Sequence, residues 1–445
     1  MAARRSGLAV DVPAAQCSPT GRTAAGGGSP HHLKSATEGS ATAGASTSGK
    51  GTSVISQART ALVHEWLTDW GGSEDVTRLM LESLPQAQLH ATIDFLSEEH
   101  RARLGGGPIQ TTFLQRAPFV QKKFWNYLPL TGLAVERHDL DAFDIIVSNS
   151  HAFAKGVITR GDQLHVSYVQ SPMRYAWDLN HQYLRDYGLD KGVKGLMAHY
   201  MFHRLRAWDR QTANNVDLFL ANSRYIQQRV WRTYRRRSRV LYPPVRTSLF
   251  ALQPHKEDFY VTVSRLVSYK RIDLLVEAFA AMPQRKLVVI GDGPEAQALK
   301  LRCPANVTLM GWQSDEVVRQ HLGSARAFLF AALEDFGISP LEAQACGTPV
   351  IAYGKGGATE TVRDLHAADR PTGLLFPEQT TACIVEAVEA FEAAGVIFDP
   401  HACRTWAETF SEERFKREFK ICVDQAWDVW RRQPQELESI LTDGP

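Results

Sequence analysis

Short apolar runs that alternate with helix-like stretches constrain this chain more than any other feature. Ala61-Leu62-Val63-His64, Asp144-Ile145-Ile146-Val147-Ser148, His165-Val166-Ser167-Tyr168-Val169 and Asp217-Leu218-Phe219-Leu220-Ala221 each read as a buried strand. Helical segments lie between them, and that alternation implies a parallel sheet covered by helices. Tyr242-Pro243-Pro244-Val245 interrupts the pattern. Beyond it a second series begins, with strands expected over Phe259 to Ser264, Lys286 to Ile290, Ala327 to Ala331 and Pro349 to Ala352, and a helix over Arg271 to Met282. The reading is an α/β chain with one Rossmann-like domain over 58–243 and a second over 244–403.

The segments outside the two domains differ from them in composition. Residues 1–57 are dominated by Ala, Gly, Ser and Thr, bury too little apolar surface to offset chain entropy, and are expected to be disordered. No apolar core of the kind a secretory signal needs follows Arg4 and Arg5. Residues 404–445 are expected to form a helical tail that packs back on the first domain. Trp406, Phe410, Phe415, Phe419 and Trp427 stand at near-helical spacing there, as a packing stripe.

With 44% hydrophobic and 22% charged residues the composition is that of an ordinary globular chain, and no apolar run approaches the roughly 20 residues that span a bilayer. The six cysteines (Cys17, Cys303, Cys346, Cys383, Cys403, Cys422) show neither CxxC nor metal-ligand spacing, which suits reduced thiols in the cytoplasm. Between Phe113 and Phe250 there are 21 Lys and Arg against 10 Asp and Glu. That surplus points to an anionic partner, either phosphate groups or the inner leaflet of a membrane, with a solvated basic face as the plain alternative. Arg229–Arg239, with Phe119, Phe124, Trp125 and Tyr127 beside Lys122 and Lys123, is the candidate membrane surface. Buried helix faces account for those aromatics equally well, and nothing in the pattern calls for nucleic acid.

The segment richest in chemistry is Leu329 to Ala352. A strand is followed by Glu334-Asp335-Phe336-Gly337-Ile338-Ser339-Pro340-Leu341-Glu342, and Gly347-Thr348-Pro349 closes a helix. Ser339 suits an N-cap, Pro340 the first helical position and Gly347 a left-handed stop, so Glu342 is expected in the first helical turn. Strand ends of an open α/β sheet are where ligands bind, and free amides at a helix start attract phosphate. A carboxylate there accepts from two vicinal hydroxyls of a ribose or hexose. Arg265 and Lys270, in Ser264-Arg265-Leu266-Val267-Ser268-Tyr269-Lys270-Arg271, stand at another strand end and can clamp a diphosphate.

Weaker signals come from Gly291-Asp292-Gly293, from Gly311-Trp312 as a place for a base to stack, and from Gly356-Gly357-Ala358-Thr359-Glu360 as a close approach to ligand. In the first half, Gly71-Gly72 precede a helix that Ser73 suits as a cap, and His151 follows a strand closely. Asp139-Leu140-Asp141 spells a DxD but precedes a strand, and reads as solvated charge. A nicotinamide-dependent oxidoreductase would need GxGxxG after the first strand, which His64 to Ser73 lacks. A non-catalytic protein that binds phosphate-rich ligands through Arg229–Arg239 is a further alternative.

Taken together, SRLVSYKRIDLLVEAF, VVIGDGPE, GWQSDE and EDFGISPLEAQACGTPVIAYGKGGATETV resemble the retaining family-4 glycosyltransferases of GT-B fold, over about Leu62 to Phe376. HEWL, SNSHAFAKGV, SPMRYAWD, ANSRYI and YPPV are most similar to bacterial mannosyltransferases of exopolysaccharide and O-antigen (lipopolysaccharide) assembly. The resemblance implies two domains facing across a cleft, a nucleotide-sugar donor such as GDP-mannose, and a glycan acceptor linked to polyprenyl diphosphate. It places Arg265 and Lys270 on the diphosphate and Glu342 on the ribose. Glu334, with the backbone of Phe336 and Gly337, falls on the donor sugar. His151 touches the sugar from the first domain, and Gly72 lies by the phosphate and acceptor side. No cofactor and no metal are implied. UDP-glucose or a similar donor is the alternative within the same fold. Ser268 stands where such sequences often have proline, and Ser73-Glu74-Asp75 replaces a turn that usually carries a basic residue.

Overall fold

The computed structural model describes residues 58–441 apart from Tyr187, Val396 and Ile397. The expectation of disorder over 1–57 lies outside the described residues.

Seven strands form the first sheet: β1 (Thr60–His64), β2 (Gln88–Ala91), β3 (Ile109–Thr111), β4 (Ile145–Ser150), β5 (Leu164–Val169), β6 (Leu218–Ala221) and β7 (Arg239–Val240). Their order is β3-β2-β1-β4-β5-β6-β7, with every pairing parallel. The second sheet has six strands: β8 (Tyr260–Val263), β9 (Leu287–Ile290), β10 (Val307–Gly311), β11 (Ala327–Phe330), β12 (Val350–Tyr353) and β13 (Gly373–Phe376). Its order is β10-β9-β8-β11-β12-β13, again all parallel. The central strands are buried along their length, because helices cover both faces of an all-parallel sheet.

Strand order reverses between β1 and β4 in the first sheet and between β8 and β11 in the second. Loops leaving adjacent strands in opposite directions open a crevice at such a point. The segments that leave those four strands are His64 to Gly72, His151 onward, Ser264 to Lys270 and Ala331 to Gly337. They contain the candidate residues other than Gly311 and Glu342.

The expected caps are corrected. The first helix runs Gly72–Ser83 from an extended Gly71, and Ser73 makes no cap bond to it. The helix after β11 runs Ile338–Ala345 from Gly337, whose φ of 90° favours glycine, and no side chain caps it. Ser339 and Pro340 lie inside its first turn, and Glu342 belongs to the second turn. Gly347 follows the helix at φ 77°.

The aromatic stripe near the C-terminus is divided between the domains. Helix Pro400–Glu408 packs on Ile338–Ala345, so the expected boundary at residue 404 falls inside an element of the second domain. Trp406 and Phe410 join Tyr242, Phe336 and Leu341 in a cluster there. The chain then crosses back. Val245 N–H donates to the Phe410 carbonyl at 2.8 Å, and buried Arg414 donates to the carbonyls of Tyr242 and Pro243 at 2.8 and 3.1 Å. Helix Glu412–Arg432 buries Phe415, Phe419, Cys422, Val423 and Ala426 among Leu62, Leu79 and Tyr168 of the first domain. Each of the two phenylalanines contributes about 2–3 kcal/mol by removing its ring from water.

Candidate functional site

Two connected lobes lie where the switch points of the sheets face each other. The first, about 570 Å³, is lined by Gly72, His151 and Arg174 from the first domain and by Lys270, Glu334, Phe336, Gly337 and Ser339 from the second. The second, about 580 Å³, belongs mostly to the second domain and is lined by Arg265, Lys270, Gly291, Asp292, Trp312, Ser339 and Glu342. Lys270 and Ser339 line both lobes, so the uncapped start of helix Ile338–Ala345 stands at their junction. Free amides and a lysine at that junction suit a diphosphate that joins a sugar in one lobe to a nucleoside in the other.

Charges at the junction are tightly held. Lys270 is ion-paired with Glu334. Burial, together with the nearby Arg174 cation, pushes Lys270 down to about 8 against the pull of Asp335. Burial pushes the Glu342 carboxyl up to about 7, although Arg246 draws it down. A carboxyl poised there titrates in the physiological range, as perturbed groups in clefts often do.

His151 follows β4 directly, and its placement depends on Glu65, a residue that sequence reasoning passed over. The buried Glu65 carboxylate accepts the backbone N–H groups of His151, Ala152, Phe153 and Ala154 at 2.7–3.0 Å and the Ser150 hydroxyl at 3.1 Å. Against the penalty of burial, His151 and those amides hold Glu65 below the usual carboxylate range. The His151 ring stands edge-on to Trp66 at 4.8 Å and faces the cavity. Burial lowers its pKa, partly offset by Glu65. The only sequence signal for Glu65 was its place in His64-Glu65-Trp66-Leu67 at the end of the first strand.

The acidic turn after the glycines has structural partners. Glu74 Oε1 lies 3.1 Å from buried His64 Nε2, and Asp75 is ion-paired with Arg246 at 3.6 Å and Arg78 at 3.7 Å. A Cβ on Gly72 would stand 3.1 Å from Ile338 Cδ1, so this loop reaches the second domain.

Three expectations are corrected. Gly311 does not line the lobe. It ends β10, where its carbonyl accepts from Gly291 N–H at 2.8 Å, and Trp312, 77% exposed, borders the cavity instead. Gly356 and Gly357 approach backbone rather than ligand. Gly357 N–H donates to the Glu334 carbonyl at 2.9 Å, and a Cβ on Gly357 would stand 2.2 Å from Phe336 Cα. The Arg229–Arg239 stretch is an open basic face only in part, since Arg232, Arg235 and Arg237 are exposed while its other three arginines are engaged. Arg229 is ion-paired with Asp335 and Asp178, Arg236 donates to the carbonyls of Ala213 and Val216, and Arg239 donates to Gln425. Phe124 is likewise buried, whereas Phe119 is exposed. Asp139 and Asp141 are solvated, as read.

Comparison with a family model picks out the second domain. Residues 248–404, about a third of the chain, match the family model described as Glycosyl transferases group 1. An alpha-1,3/1,6-mannosyltransferase, ALG2, from Kluyveromyces lactis is 24% identical over 293 residues, covering 52% of this chain and 58% of that protein. A glycogen synthase from Pseudomonas aeruginosa is 33% identical over 176 residues, covering 38% of this chain and 29% of that protein. The chain thus spans less than two thirds of the length of these curated relatives. Among solved structures, a sucrose-phosphate synthase from Thermosynechococcus elongatus superposes with a TM-score of 0.62 at 15% identity, covering 83% of this chain and all of that one. Anabaena Alr3699/HepE, crystallised with UDP-glucose, gives 0.59 at 17%, covering 82% and 99%. The chain has the GT-B fold, and its second domain is similar to the group 1 glycosyltransferases.

Proposed function

We propose that this protein is a retaining hexosyltransferase that moves mannose from GDP-mannose onto a lipid-linked or polysaccharide-precursor glycan. The observation that carries the reading is the pair of lobes joined at Lys270 and the start of helix Ile338–Ala345. Glu342 takes the ribose in the second lobe, with Trp312 at its rim beside the base. Arg265 and Lys270 take the diphosphate. Glu334 and the amides near Phe336 and Gly337 take the sugar, and His151 meets it from the first domain. Mannose is favoured by the sequence motifs and by the likeness to the mannosyltransferase. UDP-glucose or a similar donor is the alternative.

Transfer with retention places the acceptor hydroxyl on the face from which the diphosphate departs, and the leaving phosphate takes its proton. The cations and the helix amides bind the departing charge better than the intact donor, which lowers the barrier. The reading requires no metal, because Arg265 and Lys270 supply the neutralising charge. The test is a panel of nucleotide sugars assayed for nucleotide release with isoprenoid-diphosphate glycans as acceptors. GDP-mannose is expected to lead, and Lys270→Ala to cut turnover with the fold intact. An inverted anomeric centre in the product, or loss of activity with EDTA, would refute the mechanism.

A lipid-linked acceptor calls for contact with the inner face of the cytoplasmic membrane. Among the described residues no helix is long and apolar enough to cross a membrane. Helix Gly192–Thr212 supports peripheral contact instead. Val193, Leu196, Met197 and Tyr200 are 66–77% exposed along one face, beside exposed Lys191, Lys194 and Arg204. Apolar side chains flanked by cations suit an anionic interface. Vesicles containing phosphatidylglycerol should co-sediment the protein, and Leu196→Glu with Met197→Glu should release it. Sedimentation indifferent to those substitutions would rule this surface out.

A further inference from the structure

Asp335 lies between Glu334 and Phe336 on the wall of the first lobe, with its carboxylate turned toward the first domain. Its carboxylate is held by two arginines of that domain. Arg174 reaches Oδ2 through Nη2 at 2.7 Å and Nε at 2.9 Å, and Arg229 reaches Oδ1 at 3.1 Å. The Ser223 hydroxyl donates to the Asp335 carbonyl at 2.6 Å. Glu360 makes a second bridge, accepting the Arg224 and Tyr225 N–H groups at the start of helix Arg224–Tyr234 at 2.8 and 3.0 Å. Its neighbour Gly357 holds the Glu334 carbonyl. The loop that presents Glu334 and the amides of Phe336 and Gly337 is therefore gripped from both domains.

The cost of this arrangement argues for a role beyond holding the fold. The Arg229 and Asp335 side chains are only 9% and 13% exposed, and withdrawing such charges from water roughly cancels their attraction. An apolar contact would join the domains at least as well. What the ions add is direction. A carboxylate held by two guanidiniums has a fixed orientation, and the side chain before it in the chain is fixed with it.

We propose that Asp335 is a positioning residue: clasped by Arg174 and Arg229, it fixes the 333–337 loop in the geometry that contacts the donor sugar only while the domains are together. This rests on the glycosyltransferase reading above. The clasp joins sugar recognition to cleft closure, while the nucleotide lobe at Arg265 and Glu342 forms without it.

The full chain with Asp335→Asn keeps the residue's shape and removes its charge. Amide hydrogen exchange over 333–337 should quicken by about tenfold or more, and kcat should fall by a similar factor, the scale set by losing a charged hydrogen bond. The KM for the donor, and the affinity for GDP or UDP measured by calorimetry, should stay within about twofold, since the nucleotide lobe is untouched. Unchanged exchange over 333–337 overturns the proposal. So does a loss of nucleotide affinity equal to the loss of kcat, which would make Asp335 a prop for the whole second domain. Exchange is read without any sugar transfer. An inactive chain whose loop still loosened would refute the enzymatic reading and leave the clasp standing.

Discussion

Glu342→Gln probes the lobe proposed for the nucleotide through pH. Burial, partly offset by Arg246 and reinforced by Asp315 and Asp75, holds the free carboxyl near 7. Only the ionised form accepts from both hydroxyls of a ribose. Its population falls from about nine-tenths at pH 8 to about one-tenth at pH 6, so affinity for a nucleotide sugar should fall about tenfold, or about 1.4 kcal/mol. Calorimetry with GDP-mannose and no acceptor measures this cleanly, because a diphosphate esterified at both ends does not titrate in that window. The Glu342→Gln variant should bind more weakly at pH 8 and show no such slope.

The same group bears on stability with a definite sign. Folding raises the carboxyl from 4.5 to about 7, so its contribution is complete below about pH 4.5 and is lost as pH rises through 7. The loss amounts to about 3 kcal/mol at pH 8. Glu342→Gln should therefore raise the melting temperature of the free protein by several degrees at pH 8, with no gain near pH 4.5. Affinity that is flat from pH 6 to 8 in the unsubstituted protein, or an equal slope in the variant, would refute the assignment.

Burial lowers His90, His138 and His165 to about 4 from 6.5, so their contribution to stability is present above about 6.5 and is lost as pH falls toward 4. Urea titrations at pH 7 and pH 5 should show that loss, and His90→Phe should reduce it. Glu65→Ala strands the four amides of residues 151–154 and should cost about 3–5 kcal/mol in a denaturant melt. Gly357→Ala drives a Cβ into Phe336 and should abolish turnover while circular dichroism stays unchanged.

The residues of the candidate site were legible because they sit in short motifs at strand ends. Glu334, Arg265 and Lys270 each follow an apolar run, and the run itself places them at the carboxyl edge of a sheet. Strand order was not legible, so nothing local showed that β8 and β11 flank a reversal. β2, β3, β10 and β13 were passed over, the first because Gln88 and His90 dilute its apolar character and the second because it has three residues, and β7 is only two residues long. The basic surplus was visible but its use was not, since Arg229 and Arg174 find their carboxylate more than 100 residues away. The caps at Ser73 and Ser339 failed because glycine begins both helices and leaves their first amides facing the cleft.

The return of helix Glu412–Arg432 to the first domain has a consequence for biosynthesis. When residue 243 leaves the ribosome, the surface around Leu62 and Tyr168 still lacks Phe415 and Phe419, which emerge only after the whole second domain. The amino-terminal half must wait, partly uncovered, for the last helix to be translated. A fragment ending at the linker would expose the same greasy face, so dissecting this protein into separately expressed halves requires grafting 412–432 onto the first.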